Sequence, residues 1–255
     1  MSQRHNARMR TVLITGASRG IGAATALACA RLGHAVAVNY ARDAQAADAV
    51  VASARALGVP ALALQADVAD EAQVLAMFAR IDAELPPLGG LVNNAGVLDV
   101  AARLDAMDMA RWQRIFAVNV FGSLLCAREA VLRMSTRHGH AGGAIVNLSS
   151  AAARLGSPGI YVDYAASKAA IDTFTLGLAR EVAAEGIRVN AVRPGIIDTD
   201  IHASGGMADR VHDIAAQLPM QRAGSADEVA QAIVWLLSDA ASYTTGALLD
   251  VAGGR

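Results

Sequence analysis

Thr15-Gly16-Ala17-Ser18-Arg19-Gly20-Ile21-Gly22 stands between two apolar segments, and reading the three together decides the fold. Before it, Thr11-Val12-Leu13-Ile14 reads as a fully buried strand. After it, residues 21–32 form an Ala-rich run that ends at Gly33 and reads as a helix with a glycine stop. The N–H groups that open a helix have no intrahelical partner, and the helix dipole places partial positive charge there. Glycines at 16, 20 and 22 let the backbone turn tightly and approach a pyrophosphate with no Cβ in the way. The spacing is G-x-x-x-G-x-G, not the commoner G-x-G-x-x-G. By itself the stretch therefore reads equally as a tight strand-to-helix connection without a ligand.

The chain has 255 residues, a length at which α/β folds commonly form one domain. Hydrophobic residues make up 54% and aromatics only 4%, so the core is built from Ala, Val, Leu and Ile, which suits helices packed on a parallel sheet. A net charge of −1 argues against nucleic acid or an anionic membrane as partner. Cys29 and Cys126 lie in apolar helical stretches and read as reduced core residues of a cytoplasmic protein. No metal-ligand spacing surrounds them or the histidines, so no metal is expected. No apolar run approaches the roughly 18 residues of a spanning helix. Residues 1–10 carry Arg4, Arg8 and Arg10 with no apolar segment behind them. They read as a flexible tail, not a signal peptide. Residues 11–255 read as a single dinucleotide-binding catalytic domain.

Strands and helices alternate along that span. Strands are expected at 35–39, 61–65, 90–92, 144–148, 187–191 and 247–251. Helices are expected at 43–57, from Asp70 to about 85, at 108–117 and 118–137, at 164–184 and at 226–237. Gly58 with Pro60 and the pair Pro86-Pro87 stop the second and third helices. Repeated βα units of this kind force a doubly wound, Rossmann-like α/β fold: a parallel sheet of about seven strands with helices on both faces.

In such a sheet ligands sit beyond the carboxyl ends of the strands, and those ends are polar or small. They hold Asp67-Val68, Asn93-Asn94-Ala95-Gly96, Ser149-Ser150 and Pro194-Gly195. At the end of the second strand a free adenosine ribose usually meets Asp or Glu. Here Asn39 and Tyr40 hold that place, and Arg19 and Arg42 flank it. Guanidinium groups pair well with phosphate, so the corner reads as a 2′-phosphate pocket selecting NADP(H) over NAD(H). Two solvated surface arginines are the alternative.

The chemistry is expected at Ser150 and Tyr164-Ala165-Ala166-Ser167-Lys168. Residues four apart share a helical face, which puts the Lys168 ammonium near the Tyr164 phenol. A nearby positive charge favours the phenolate, and the pair becomes a proton donor and acceptor. Ser150 can hold the reacting oxygen. Tyr161 and Ser149 duplicate the residue types, but Ala165, not a cation, lies four residues beyond Tyr161. Neighbours at a strand end point to opposite faces, so either Ser149 or Ser150 meets Tyr164. Ser150 is chosen on spacing.

The glycine turn, Asn93-Asn94-Ala95-Gly96, Asn119, Ser150, Tyr164-x-x-x-Lys168, Pro194-Gly195 and the ending Thr245-Gly246 to Gly253-Gly254 occur in the order of the short-chain dehydrogenase/reductase family. The resemblance runs from about Thr11 to Gly254. It implies a seven-stranded Rossmann-like domain, usually a homotetramer, using NAD(H) or NADP(H) on a small carbonyl or alcohol substrate. It further implies Tyr164 as acid/base, Lys168 as ribose anchor and pKa modulator, Ser150 as carbonyl holder and Asn119 as holder of a relay water. Asn93, Ala95 and Gly96 would pack near the cofactor, Asp67 and Val68 would meet the adenine, and Ile197 and Thr199 would approach the carboxamide. The Ser150-to-Tyr164 spacing is one residue longer than in many close members, so the intervening loop is expected to differ.

The segment 197–219, with Gly205-Gly206 as hinge, reads as a lid over the site. His202, Met207 and residues 154–161 are candidate lining groups. The chain looks like both 3-oxoacyl-carrier-protein reductases and glucose-dehydrogenase-like proteins. Arg128, Arg133 and Arg137 read either as a dock for an acidic carrier protein or as an ordinary solvated or subunit-interface face. The apolar positions of the 164–184 helix exceed one buried stripe, so a second face is expected to meet a symmetry mate. An NADP(H)-dependent oxidoreductase is the favoured reading, and a non-catalytic NADP(H)-sensing protein is the alternative from another class.

Overall fold

The computed structural model describes residues 9–199 and 216–255. His202, Met207 and the Gly205-Gly206 hinge lie outside the described residues. The strands are β1 (Thr11–Ile14), β2 (Ala35–Tyr40), β3 (Ala61–Gln65), β4 (Leu88–Asn93), β5 (Gly143–Leu148), β6 (Ile187–Pro194) and β7 (Leu248–Val251). They form one 7-stranded sheet in the order β3-β2-β1-β4-β5-β6-β7. Every pairing is parallel, as the βα alternation requires. The helices are α1 (Gly20–Arg31), α2 (Ala44–Ala56), α3 (Glu71–Glu84), α4 (Met109–Phe116), α5 (Gly122–Met134), α6 (Ala152–Leu155), α7 (Val162–Val182) and α8 (Ala226–Leu237).

Successive strand side chains point to opposite faces, and two apolar layers result. Val12, Ile14, Val36, Val38, Val92, Val146 and Val192 pack under α1, α2 and α8. Leu13, Ala37, Leu91 and Ile145 pack against α3, α5 and α7, where Phe78, Ile81 and Met134 are fully buried. Cys29 lies in the first layer and Cys126 in the second. Burial pushes each thiol up to about 12.

Residues 109–134, expected as two helices with a break, form one rod instead. The slip in the apolar pattern is absorbed by a π turn at Ala117–Phe121. One extra residue in that turn resets the buried face from Arg111 and Ile115 to Asn119, Ser123, Cys126 and Ala130. This 26-residue rod is long and apolar enough by composition to cross a membrane, which the sequence reading excluded. Half of its most apolar window is buried inside the protein, as in a core helix. The helix expected to begin at Tyr164 begins at Val162 with Tyr161 as its N-cap residue, which places Tyr164 inside the first turn. β6 runs on to Pro194, past its expected end at 191.

The α8 end depends on one guanidinium. Arg188 Nη1 donates to Leu236 O at 2.6 Å, and Nη2 donates to Leu237 O and Ser238 O at 3.1 Å each. Those carbonyls have no intrahelical partner, and a cation there also opposes the helix dipole. Arg188→Met should lower stability by about 1.5–3 kcal/mol in urea unfolding, with Arg188→Lys recovering only part because one ammonium cannot span the fork. An unchanged unfolding midpoint for Arg188→Met would mean that water serves these carbonyls equally well.

Candidate active site

Strand order reverses beside β1, which has β2 on one side and β4 on the other. A crevice at the carboxyl ends follows from that topology, and hydrogen bonds fix its floor. Thr15 Oγ1 accepts the N–H groups of Asn94 at 3.0 Å and Ala95 at 2.9 Å. In return Asn94 Nδ2 donates to Thr15 O at 2.8 Å and Gly16 O at 2.9 Å. The glycine turn is thereby clamped to the loop after β4. A Cβ on Gly16 would lie 2.9 Å from Ala95 Cα, and one on Gly22 would lie 2.6 Å from Asn94 Nδ2. Neither position accepts a side chain. Arg19 is the N-cap residue of α1, and no side chain caps that helix. Its opening N–H groups, with Ser18, Gly20 and Ile21 around them, suit a pyrophosphate.

Several expected ligands are struts. Asn39 is 1% exposed. Its Oδ1 accepts from Gly16 N at 3.1 Å, while Nδ2 donates to Leu64 O and Ala66 O at 3.2 and 3.0 Å. That side chain ties β1, β2 and β3 together. Asn93 likewise turns inward and donates to Ser123 O and Asn147 Oδ1 at 3.1 and 2.9 Å. Val68 packs in the lower core, where a Cβ on Gly122 would lie 2.7 Å from its Cγ2. Asp67 is exposed, and its Oδ1 accepts from Ala69 N. Tyr40 is half-buried at the end of β2. Arg19 and Arg42 are exposed, and among the described residues neither forms an ion pair. The next carboxylate along the chain, Asp43, caps α2 through Ala46 N at 3.0 Å.

The crevice gathers residues from α1, the loops after β4, β5 and β6, the helix α7 and the C-terminus. Ile21, Gly96, Ser150, Tyr164, Lys168, Pro194, Gly195, Ile197 and Thr199 line it, all singled out in the sequence. Ser150 hydrogen-bonds the Tyr164 phenol. Ser149 is 4% exposed, and its Oγ donates to Lys168 O at 3.1 Å, so it braces the helix. Lys168 Nζ donates to Leu148 O at 2.6 Å and lies 5.6 Å from the Tyr164 ring centroid. A Cβ on Gly96 would come within 3.4 Å of that nitrogen. Burial pushes the Tyr164 phenol up to about 12, against the Ser150 hydrogen bond. It brings Lys168 down to about 8, opposed by Asp172. The cluster therefore rests as a phenol that can give a proton, beside an amine poised to change charge near neutrality.

Asn119 stands behind this surface. Its Oδ1 accepts from Val97 N at 2.8 Å, and Nδ2 donates to Val97 O and Ser167 Oγ at 2.9 and 3.0 Å. Its side chain thus holds the loop after β4 against α7 from within the π turn. Leu98, Leu155, Ser157, Ile196 and Arg255 also line the crevice. Leu155 and Ser157 fall in the 154–161 stretch expected to line the site, whereas no motif marks Leu98, Ile196 or Arg255, which arrive from three separate parts of the chain. The loop between Ser150 and Tyr164 forms α6 and then turns through Gly156 and Ser157, both with positive φ.

Residues 16–255 match the family model described as Enoyl-(Acyl carrier protein) reductase. The chain is 57% identical over 247 residues to the uncharacterized oxidoreductase YgfF of Escherichia coli (strain K12), covering 97% of this chain and 100% of that one. It is 39% identical over 246 residues to the 3-oxoacyl-[acyl-carrier-protein] reductase FabG of Staphylococcus aureus (strain Mu50 / ATCC 700699), covering 96% and 97%. The crystal structure of a short-chain type dehydrogenase/reductase from Mycobacterium marinum superposes with a TM-score of 0.89 at 35% identity, over 96% of this chain and 94% of that chain. With the sheet order and the clamped glycine turn, these likenesses establish that the chain belongs to the short-chain dehydrogenase/reductase family of nicotinamide-dependent oxidoreductases.

Proposed function

We propose that this chain interconverts a carbonyl and a secondary alcohol on a small molecule, with NADP(H) preferred over NAD(H). The observation that carries the reading is the Ser150–Tyr164–Lys168 cluster on the crevice wall, beside a glycine turn that no side chain could enter. The nicotinamide supplies the hydride, which no side chain can carry. Tyr164 gives its phenolic proton to the oxygen of the carbonyl as reduction proceeds and takes it back in oxidation. Ser150 holds that oxygen by hydrogen bonding, and Lys168, when protonated, favours the phenolate. Leu98, Leu155 and Ile196 exclude water from the reacting centre and suit a substrate with an apolar body.

Cofactor choice rests on Arg19 and Arg42, both exposed and unpaired among the described residues, at a strand end where the next carboxylate in sequence, Asp43, already caps α2. Asn39 contributes through the glycine turn it braces, not as a ligand. Outward apolar residues on the 109–134 rod, Met109, Phe121, Leu124 and Leu132, support a homo-oligomer. Ala166, Ala169 and Ala170 on α7 offer a second close-approach face, and two such faces suit a tetramer. Two buried thiols and no expected metal fit a cytoplasmic setting.

The FabG relative raises a second reading, reduction of a carrier-bound 3-oxoacyl group. Arg128 pairs with Glu71 and Glu129, Arg133 with Asp82 and Glu129, and Arg137 with Glu185. A face already neutralised within the chain is a poor dock for an acidic carrier, so the free small molecule is favoured.

A panel of ketones, aldehydes and sugars, followed by nicotinamide absorbance, tests the activity. Tyr164→Phe should remove nearly all turnover while leaving NADPH affinity within about twofold, whereas Tyr161→Phe should change turnover little. A Tyr164→Phe protein that still turns over would remove the tyrosine from the chemistry.

With the phenol held up to about 12, reduction finds its proton donor protonated and neutral throughout the neutral range. Alcohol oxidation needs the phenolate and should speed up as pH rises. The comparison is made on initial rates in both directions, and oxidation that slows from neutral to alkaline pH would contradict it.

Replacing Arg19 and Arg42 together with Ala should weaken NADPH binding by about 1.5–3 kcal/mol per contact and leave NADH binding nearly unchanged. Equal losses for both nucleotides in a fluorescence titration would show that the corner does not read the 2′-phosphate.

A further inference from the structure

Lys168 is the only lysine in the sequence; every other basic side chain apart from histidine is arginine. A guanidinium keeps its proton in proteins, whereas a buried ammonium can lose it. Histidine aside, the one side-chain cation that can change charge has therefore been placed in the crevice wall, and what holds its charge matters. Its hydrogen-bond acceptor, Leu148 O, is neutral.

Asp172 lies four residues beyond Lys168, as Lys168 lies four beyond Tyr164, so the three follow one helical row. It is 7% exposed. Arg193, on β6, donates to Asp172 Oδ2 through Nε at 3.0 Å and Nη2 at 2.8 Å. Asp172 Oδ1 is buried with no hydrogen-bond partner. Behind Arg193 stands Asp250 on β7, 3.8 Å from Nη1, and Arg154 of α6 approaches that carboxylate at 3.6 Å. Charge alternates along the row from Lys168 through Asp172, Arg193 and Asp250 to Arg154.

We propose that Asp172, oriented by Arg193, is the buried counter-charge of Lys168, a positioning residue that sets the charge of the lysine without touching substrate or cofactor. Among the described residues, other elements packed on α7 bring no rival. From α4 comes Arg111, whose guanidinium is bidentate to Asp163 at 2.6 and 3.2 Å, closing that pair on itself. β5 and the π turn present Ser150 and Asn119, which carry no charge. Asp172 is left as the carboxylate whose field reaches the ammonium, and it acts against the desolvation that favours the neutral amine. Arg193 does two things at once: it fixes the carboxylate and partly offsets its charge.

The inference rests on the reading of Lys168 as the support of Tyr164, but its test does not use turnover. Protein grown with lysine isotope-labelled at the side-chain nitrogen gives one amine resonance, because the chain holds one lysine. That signal is followed against pH in the wild type, Asp172→Asn and Arg193→Met. Asp172→Asn should lower the titration midpoint by about one pH unit, and Arg193→Met should raise it by about half a unit. Opposite shifts are the signature of a counter-charge and its partner. A merely structural aspartate would lower the melting temperature of both variants and leave both midpoints in place, and that result overturns the proposal. Shifts in the same direction overturn it too. Should Asp172→Asn fail to fold, Arg193→Met alone decides: a raised midpoint supports the counter-charge, and an unmoved or lowered one refutes it. Failure of the catalytic reading would show separately, as turnover retained by Tyr164→Phe.

Discussion

Four hydrogen bonds between Thr15-Gly16 and Asn94-Ala95 hold the rest of the site in place. A parallel sheet that reverses its strand order must part at the switch point, because the chain leaves in opposite directions on either side. Thr15 and Asn94 span that parting with both side chains and both backbones. The glycine turn is consequently no free loop. Its path is fixed from below by Asn39 and from the side by Asn94. A polar bridge suits this position because backbone groups at strand ends have lost their ladder partners, and a buried unpaired group costs about 1–3 kcal/mol.

The same logic runs through the buried amides. Asn93, Asn147 and Thr175 form a row from β4 across β5 to α7, and Asn119 joins the loop after β4 to Ser167. Each side chain offers donors and an acceptor in fixed directions, so the row specifies one spacing between sheet and helix. Apolar packing alone tolerates small slides. Tyr164 and Lys168 stand on that helix, and their distance from Ser150 depends on the spacing. The π turn contributes likewise: it lets Asn119 face inward while Arg111, two turns earlier, meets Asp163 in the first turn of α7.

Burial works against charge throughout the crevice wall. It holds Tyr164 as a phenol and pulls Lys168 towards the neutral amine. Two groups answer this pull locally, Ser150 beside the phenol and Asp172 one helical turn from the lysine. Such tuning by desolvation and a specific partner is how one fold brings acid and base chemistry near neutral pH.

Local spacing was enough for much of this. The βα alternation, the glycine turn at 16–22 and the four-residue step from Tyr164 to Lys168 are short-range facts, and backbone periodicity turns each into a face or a turn. Local spacing does not say where a polar side chain at a strand end finds its partners. Asn39 and Asn93 sit where ligands are expected, yet both turn inward, since strand register brings unpaired carbonyls to them first. Ser149 and Ser150 are indistinguishable by type. Their roles part because α7 crosses one side of β5, where Ser149 meets the Lys168 carbonyl and Ser150 meets the phenol. The pairing of Asp172 with Arg193 belongs to the same class. Sequence alone determined which residues share a helical face or end a strand; tertiary structure decided their partners, because hydrogen bonds and ion pairs across layers depend on a register that no local period encodes.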